Sequence, residues 1–193
     1  MNKRRPVQEK HERVLIDEFI AWWASQTGEQ FRVIFRPHPL PPEAIVQSVQ
    51  RTTWIEVTDA FHSDKWAQDL YSNATPGESR KPMGPGPYVD MDAQTAARFA
   101  TLLKKKLSKQ SYADTHEKYG PGTLLVRMQS SWFGEQTCDM MRDECCKTNW
   151  STDQGFFSHV FISFRSLNQQ TFEEWKWAAQ QTPAGDIKAM PED

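Results

Sequence analysis

The stretch that decides the fold is PPEAIVQSVQRTTWIEVTDAF, residues 41–61. It contains two runs rich in apolar and β-branched residues, 44–49 and 53–58, and such runs favour β-strands. Gln50 and Arg51 lie between the runs, so we predict a tight antiparallel hairpin. The turn lacks the preferred Asn-Gly or Asp-Gly pair, and its type is therefore left open.

The hairpin carries two carboxylates, Glu43 at the start of its first strand and Glu56 within its second. Because side chains alternate along a strand, Glu56 shares a face with Trp54 and Thr58 and lies mid-sheet, where an unpaired carboxylate is costly. We expect the pairing to bring Glu43 towards positions 58–60, so that the two acids approach each other at one end of the sheet. A hard divalent cation would relieve their repulsion. The alternative is that both acids are exposed on a one-sided sheet.

The rest of the chain predicts a mixed sheet flanked by helices. Apolar residues recur at helical spacing in two long segments, and short β-branched or aromatic runs predict further strands. The predicted helices are 8–26, 93–112, a short one at 135–147 and a last one that starts with a capping box at Thr171 and Glu174; the further strands are 31–35, 122–128 and 156–164. The order α-β-β-β-α-β-(α)-β-α indicates a single α/β domain over 1–193, with a flexible Pro/Gly-rich loop at about 71–90.

Composition is that of a globular chain. Of its 193 residues 38% are hydrophobic, enough for one core, and no apolar run approaches the roughly 20 residues of a membrane span. No apolar segment follows the basic N-terminus, so it does not resemble a secretory signal, and we expect a cytoplasmic protein without a membrane partner. The cysteines, Cys138, Cys145 and Cys146, lack zinc-site spacing and are predicted to be free thiols.

A basic segment, RFATLLKKKLSK at 98–109, carries five cations and no acid, although the net charge of the chain is −2. It belongs to the second long helix, whose apolar stripe contains Phe99, Leu103 and Leu107. Such a run is either a solvated helix face or a surface that contacts nucleic acid, and the run alone does not choose between them.

Pro42-Glu43, followed after twelve residues by Glu56-Val57-Thr58, resembles the motif of the PD-(D/E)XK nuclease superfamily. Its members carry Pro-Asp at the start of one strand and (Asp/Glu)-X-Lys on the next, after an N-terminal helix that often supplies another acid. The order of helix, three strands, helix and strand over about 12–128 is also similar. The resemblance implies a restriction-endonuclease-like fold and metal-dependent hydrolysis of phosphodiester bonds in nucleic acid.

Carried over to this chain, the resemblance implies that Glu43 and Glu56 hold Mg²⁺ or Mn²⁺. The first helix offers several candidates for a further acid. Glu18 is chosen because it shares an i, i+4 stripe with Val14 and is expected to point inwards, whereas Glu12 falls elsewhere on the helical wheel.

The motif departs from the family at two positions. Glu43 stands in place of Asp, which keeps the charge on a longer arm, and Thr58 stands in place of Lys, which removes the cation that orients or activates water. Some members supply that lysine from another element. Lys106, beside the apolar stripe of the basic helix, is the candidate here, with Lys65 as the runner-up. The other lysines of that helix, which are expected to contact the nucleic-acid backbone, are Lys104, Lys105 and Lys109.

Two other readings stay open. Loss of the motif lysine favours a decayed site on the same fold, in a protein that acts by binding or as a structural partner. A metal-free interaction domain could use exposed tryptophans, although the eight tryptophans are more simply core residues. Whether the nucleic acid is DNA or RNA, and whether the chain forms a homodimer, is also left open.

Overall fold

A sheet of six strands organises the chain. The computed structural model describes residues 5–37, 41–86, 89–129, 133–166 and 169–175. The strands lie side by side in chain order, and β3, β4 and β5 are parallel whereas the other neighbouring pairs are antiparallel. Their bounds are β1 Arg32–Phe35, β2 Ala44–Gln47, β3 Thr52–Phe61, β4 Gly122–Gln129, β5 Phe157–Ser166 and β6 Gln169–Glu174. The sheet is mixed and open, so the predicted α/β class is confirmed.

Five α-helices accompany the sheet in the described residues. They are α1 Arg5–Thr27, α2 Asp64–Ala74, α3 Met91–Leu107, α4 Ala113–Tyr119 and α5 Glu135–Lys147, and a single 3-10 turn, Gln110–Tyr112, precedes α4. The helices predicted at 8–26, 93–112 and 135–147 correspond to α1, α3 and α5, but α3 ends at Leu107, so the prediction of a helix up to position 112 is wrong at its end. None of these five helices is long and apolar enough to cross a membrane.

Alternation of side chains along the strands divides the core into two clusters, one on each face of the sheet. On one face Trp54 and Leu124 pack with the apolar residues of α3, whose predicted stripe is buried. On the other face Ile55 and Val57 pack with those of α1. Because both faces of β3 are covered, a carboxylate in its middle, such as that of Glu56, is removed from water.

The hairpin turns earlier than the sequence predicts. The predicted first strand runs to position 49, but β2 ends at Gln47. Ser48 closes the turn, because its hydroxyl oxygen accepts hydrogen bonds from the backbone N–H groups of Gln50 and Arg51 at 3.1 and 3.2 Å. The backbone N–H of Ser48 also donates to the backbone oxygen of Arg51 at 2.9 Å, so these local bonds close the turn at 48–51.

The earlier turn changes the register of the two acids. Ala44 lies opposite Ile55, so Glu43, the residue before it, faces Glu56 across the strand pair. The expectation that Glu43 approaches positions 58–60 is therefore wrong. The two carboxylates are nearer to each other than the sequence predicts.

The predicted start of the last helix is also wrong. The segment with the capping-box residues Thr171 and Glu174 is strand β6, antiparallel to β5. Phe172 is buried in the cluster with α1, while its neighbours Thr171 and Glu173 are partly exposed. Pairing with an open strand edge and burial of one face outweigh the local helix preference. The chain beyond Trp175 lies outside the described residues.

Helix α2 is missing from the sequence prediction, and it contains the first residues of the loop expected at 71–90. Ser63 caps this helix, because its hydroxyl oxygen accepts a hydrogen bond from the backbone N–H of Trp66 at 3.1 Å. From 75 to 86 the chain forms neither helix nor strand.

The segment 75–86 is tied to α2 by polar contacts. The carboxylate of Asp69 accepts from Arg80 Nε at 2.7 Å and from the backbone N–H of Met83 at 3.1 Å. The hydroxyl oxygen of Ser72 accepts from the backbone N–H of Lys81 at 2.8 Å. These bonds give a long irregular connection a defined path across the helix.

Candidate active site

Two carboxyl groups face each other at the end of the β2–β3 pair. Glu56 lies in the middle of β3 and is 2% exposed, and Glu43, just before β2, is partly buried. The Oε2 atom of each is buried, and no N–H or hydroxyl donor among the described residues reaches it, so the two carboxyl groups have each other as hydrogen-bond partners. The alternative of two solvent-exposed acids is therefore wrong for Glu56.

Two donors converge on the other oxygen of Glu56. Lys106 Nζ and the hydroxyl of Tyr112 each lie 2.7 Å from Glu56 Oε1. Lys106 reaches this position because its neighbours Leu103 and Leu107 are buried and fix the rotation of α3 about its axis. The lysine proposed to come from another element thus contacts the motif acid.

Tyr112 is a contact that sequence reasoning missed. It is fully buried at the end of the 3-10 turn, and its ring lies 5.5 Å from Trp54 and 5.2 Å from Phe157, measured between centroids. Burial is the main cause that raises the pKa of its hydroxyl, and the nearby charge of Glu56 adds to it. Tyr112 therefore stays a neutral donor to Glu56. Its position depends on the turn after α3, for which the sequence has no clear pattern.

The carboxyl pair shares one proton. Burial, followed by the hydrogen bond and charge of Glu56, raises the pKa of Glu43 to about 9. Burial also opposes ionisation of Glu56, but the hydrogen bond from Glu43 and the cation of Lys106 outweigh it and lower the pKa of Glu56. At neutral pH Glu43 is therefore the protonated partner and Glu56 the charged one.

A cavity of about 560 Å³ opens over the pair. The N-terminal half of α1, the connection from β1 to β2 and the C-terminal end of α3 surround it. Its lining contains both basic and acidic side chains. The basic residues are Arg5, Arg13, Arg36, Lys106 and Lys109, and the acidic residues are Glu9, Glu12, Glu43 and Glu56. Such a cavity is suited to a ligand that carries negative charge.

The prediction that Glu18 points inwards is wrong. Glu18 is exposed, and so is Val14 on the same stripe, because the buried face of α1 runs through Leu15, Ile16 and Phe19. Glu12, four residues before Ile16, extends that buried face and lines the cavity. Burial is the main cause that raises its pKa. The helical spacing from 12 to 16 to 19 was the pattern that could have identified it.

The remaining predicted residues lie at different distances from this cavity. Thr58 is partly exposed, Lys65 is exposed in the first turn of α2, and neither lines the cavity. Lys109 does line it, and its Nζ lies 5.1 Å from the centre of the Tyr112 ring. Lys104 and Lys105, on the same helix, are not part of the lining.

A second polar network, also missed from the sequence, holds the end of β3. Asp59 pairs with Arg127 of β4 through bonds of 2.7 and 2.9 Å, and Tyr71 of α2 donates to it at 2.6 Å. The side chains of Asp59 and Glu56 leave opposite faces of the strand. The network fixes β3, β4 and α2 together behind the carboxyl pair.

Two carboxylate oxygens of this site are suited to bind a hard divalent cation. Mg²⁺ binds through one or two carboxylates and completes its shell with water and substrate phosphate. The Oε2 atoms of Glu43 and Glu56 are ligands of that kind once the shared proton is released. A larger protein-only site is not formed, because no group of three or more Asp, Glu, His or Cys residues in the described ranges is placed to hold a metal ion.

No protein-family model, curated protein or solved structure matches this chain. The case for a function therefore depends on the chemistry of the cavity itself.

Proposed function

We propose that the protein is a metal-dependent nuclease with a site of the PD-(D/E)XK type. One observation carries the proposal: Glu43 and Glu56 face each other with Lys106 in contact with Glu56, at the base of a cavity with five basic residues. The succession of α1, three strands, intervening helices and β4 is also the order that the resemblance implies.

Each side chain has a role in this proposal. Glu43 and Glu56 would hold Mg²⁺ or Mn²⁺, and Glu12, in place of Glu18, is the acid of α1 that lines the same cavity without forming a third metal ligand. The ion, when bound, supplies an activated water and neutralises charge on the phosphate. Lys106 and Tyr112 hold Oε1 of Glu56, which keeps that carboxylate ionised and directs its Oε2 towards Glu43. Hydrolysis then adds water across the P–O bond and leaves a phosphate end and a hydroxyl end.

Lys106 supplies the cation that the motif lacks, so Thr58 needs no chemical role beyond its place in the strand. Lys109 contacts the substrate backbone from the wall of the cavity, and Lys104 and Lys105 contribute at longer range. The cytoplasmic location and a homodimeric state stay predictions from the sequence.

A decayed site in a nuclease-like binding protein is the second candidate, and the shared proton favours it. With Glu43 protonated and Lys106 on Glu56, the pair is satisfied without any metal. A metal ion must displace the proton of Glu43, so its binding strengthens as the pH rises.

The proposal is tested by metal binding and cleavage together. Mn²⁺ should raise the melting temperature of the wild type, because a ligand of the native state stabilises it. Glu56→Gln should abolish that rise, whereas Glu18→Gln, a change at an exposed acid of α1, should keep it. Labelled DNA and RNA, single- and double-stranded, serve as substrates. Lys106→Ala should reduce cleavage by about two to four orders of magnitude.

Two results would contradict the proposal that the protein is a nuclease. If Mn²⁺ raises the melting temperature equally in the wild type and in Glu56→Gln, the ion binds elsewhere. Absence of cleavage by the wild type on all four substrates with Mg²⁺ or Mn²⁺ favours the non-catalytic alternative.

A further inference from the structure

The cavity over the carboxyl pair carries more positive charge than its acids neutralise. Five basic and four acidic side chains line it, and because Glu43 is protonated at neutral pH the excess is two positive charges. Two of the cations have close partners within the lining, since Arg5 lies 3.0 Å from Glu9 and Lys106 lies 2.7 Å from Glu56. The other three cations of the lining are Arg13, Arg36 and Lys109.

Arg13 and Arg36 reach the lining of the cavity from different parts of the chain. Arg36 follows β1, and its Nη2 lies 3.4 Å from Asp17 Oδ1 on α1. Arg13 is one helical turn before Asp17 and is exposed. The side chain of Arg36 is 27% exposed, and that of Asp17 is 60% exposed, so the single ion pair between them is screened by water.

The two guanidinium groups repel each other. Burial is the main cause that lowers the pKa of Arg36; Asp17 opposes the shift, and the charge of Arg13 adds to it. Like charges that share one wall of a cavity cost folding free energy, and an anion between them removes that cost. Guanidinium is also the group that binds phosphate oxygens in a bidentate way.

We propose that Arg13 and Arg36 form a phosphate-binding subsite in the lining of the cavity. The inference rests on the proposed function, since it takes the ligand to be a nucleic-acid strand whose reacting phosphate lies over Glu43 and Glu56. The subsite holds a neighbouring phosphate of the same strand. That phosphate is either an internal diester or the phosphate at a chain end.

The subsite changes which residues give the protein its affinity. The sequence assigns backbone contacts to Lys104 and Lys105, which lie outside the cavity lining. Arg13 and Arg36, by contrast, line the same cavity as the carboxyl pair. Removing them should therefore weaken binding more than removing the same charge elsewhere on the surface.

Binding is measured without cleavage, in EDTA, on the whole chain. Fluorescence anisotropy follows labelled single-stranded oligonucleotides with a 5′-phosphate, a 3′-phosphate or only hydroxyl ends. The variant is Arg13→Gln combined with Arg36→Gln. The matched control removes the same two charges at exposed residues outside the lining, Arg32→Gln combined with Lys118→Gln. The double variant should bind about ten- to a hundredfold more weakly than the control. Its salt slope should be shallower by about 0.7, for the loss of one phosphate contact to a single strand.

The ends of the oligonucleotides identify the source of the phosphate. A preference of the wild type for one phosphorylated end, lost in the double variant, assigns the subsite to a chain terminus. Equal binding of all three oligonucleotides, weakened equally in the double variant, assigns it to an internal diester. If the double variant does not fold, Arg13→Gln alone is compared with Arg32→Gln, because Arg13 is exposed and its loss leaves the core intact.

Equal affinity of the double variant and the control, or no binding by the wild type at low salt, overturns the subsite. The two proposals fail separately. If the wild type cleaves in a metal-dependent way and the double variant binds with unchanged affinity, the nuclease proposal stands and the subsite proposal is wrong. If the double variant binds more weakly but the wild type cleaves no substrate, the subsite proposal stands and the nuclease proposal is wrong.

Discussion

At the scale of single residues, the proton on Glu43 is the feature with the clearest consequence. Glu43 is a carboxylic acid whose pKa is raised to about 9 from an ordinary value of 4.5, mainly by burial and then by Glu56. Between those two pH values the folded chain holds a proton that the unfolded chain has released. The unfolded state thus binds fewer protons, and the free energy of unfolding falls as the pH rises.

We expect Glu43→Gln to remove this dependence, because glutamine is neutral at every pH and has nearly the same shape. Urea unfolding is followed at pH 5, 7 and 9 for wild type and variant. Histidines with lowered pKa values, His11 and His62, titrate in both proteins, so only the difference between the two curves is used. The variant should gain stability relative to the wild type as the pH rises. Parallel curves would show that Glu43 is ionised in the folded chain.

Residue spacing was enough to identify part of this site. Glu43, Glu56 and Lys106 were predicted, because a motif on adjacent strands and a lysine beside a buried stripe are local patterns. Glu12 and Tyr112 were not, because their contacts depend on how a helix and a turn pack against the sheet. The register that places Glu43 opposite Glu56 depends on a side-chain bond in the turn.

At the scale of elements, the Pro- and Gly-rich segment after α2 combines an irregular backbone with specific anchors. Asp69 of α2 is 5% exposed and binds both Arg80 and the backbone of Met83. The ion pair with Arg80 is the main cause that lowers the pKa of Asp69, so the carboxylate is charged at neutral pH. Its charge holds the segment against the helix.

Asp69→Asn should loosen the segment, because an amide keeps one oxygen but loses the charge and turns a donor towards Arg80. Limited proteolysis with trypsin measures this, since the bond after Arg80 is then open to the protease for more of the time. Cleavage there should be faster than in the wild type. Asp64→Asn, which removes a charge from an exposed residue of the same helix, is the control. Equal cleavage in both variants would mean that the anchor does not hold the segment.

Prediction of the elements succeeded where a segment is long and periodic. The stripe of α3 and the hairpin were recognised from spacing alone. Strand β6 was not, since Thr171 and Glu174 match a helix start and only the open edge of β5 selects a strand there. Helix α2 was missed because its own residues are polar, with Asp69 and Ser72 on the buried side.

At the scale of the whole molecule, the core and the candidate site are joined through one tryptophan. Trp54 is fully buried in the cluster with α3, and its Nε1 donates to the backbone oxygen of Gly120 at 2.8 Å. Its ring stacks on Tyr112, which in turn donates to Glu56. Packing around Trp54 therefore determines the position of the Tyr112 hydroxyl, which donates to the carboxyl pair.

Gly122 of β4 leaves the room that this tryptophan needs. A Cβ atom at position 122 would lie 2.4 Å from Cδ2 and Cε2 of Trp54, far inside contact distance. Because Trp54 is enclosed on all sides, it has no free space to move into. Gly122→Ala should therefore lower the free energy of unfolding by about 1–3 kcal/mol, the usual cost of overpacking a core. Urea unfolding measures the change.

A double-mutant cycle separates this clash from the other effects of the change, since replacing glycine by alanine in a strand is favourable by itself. Trp54→Phe shortens the ring that Gly122→Ala meets, so the two changes together should cost less than the sum of the single changes. Gly86→Ala is the control, since a Cβ atom there meets nothing within 4 Å, and it should leave stability nearly unchanged. Strict additivity of Gly122→Ala and Trp54→Phe would mean that the backbone at position 122, rather than the indole ring, bears the cost.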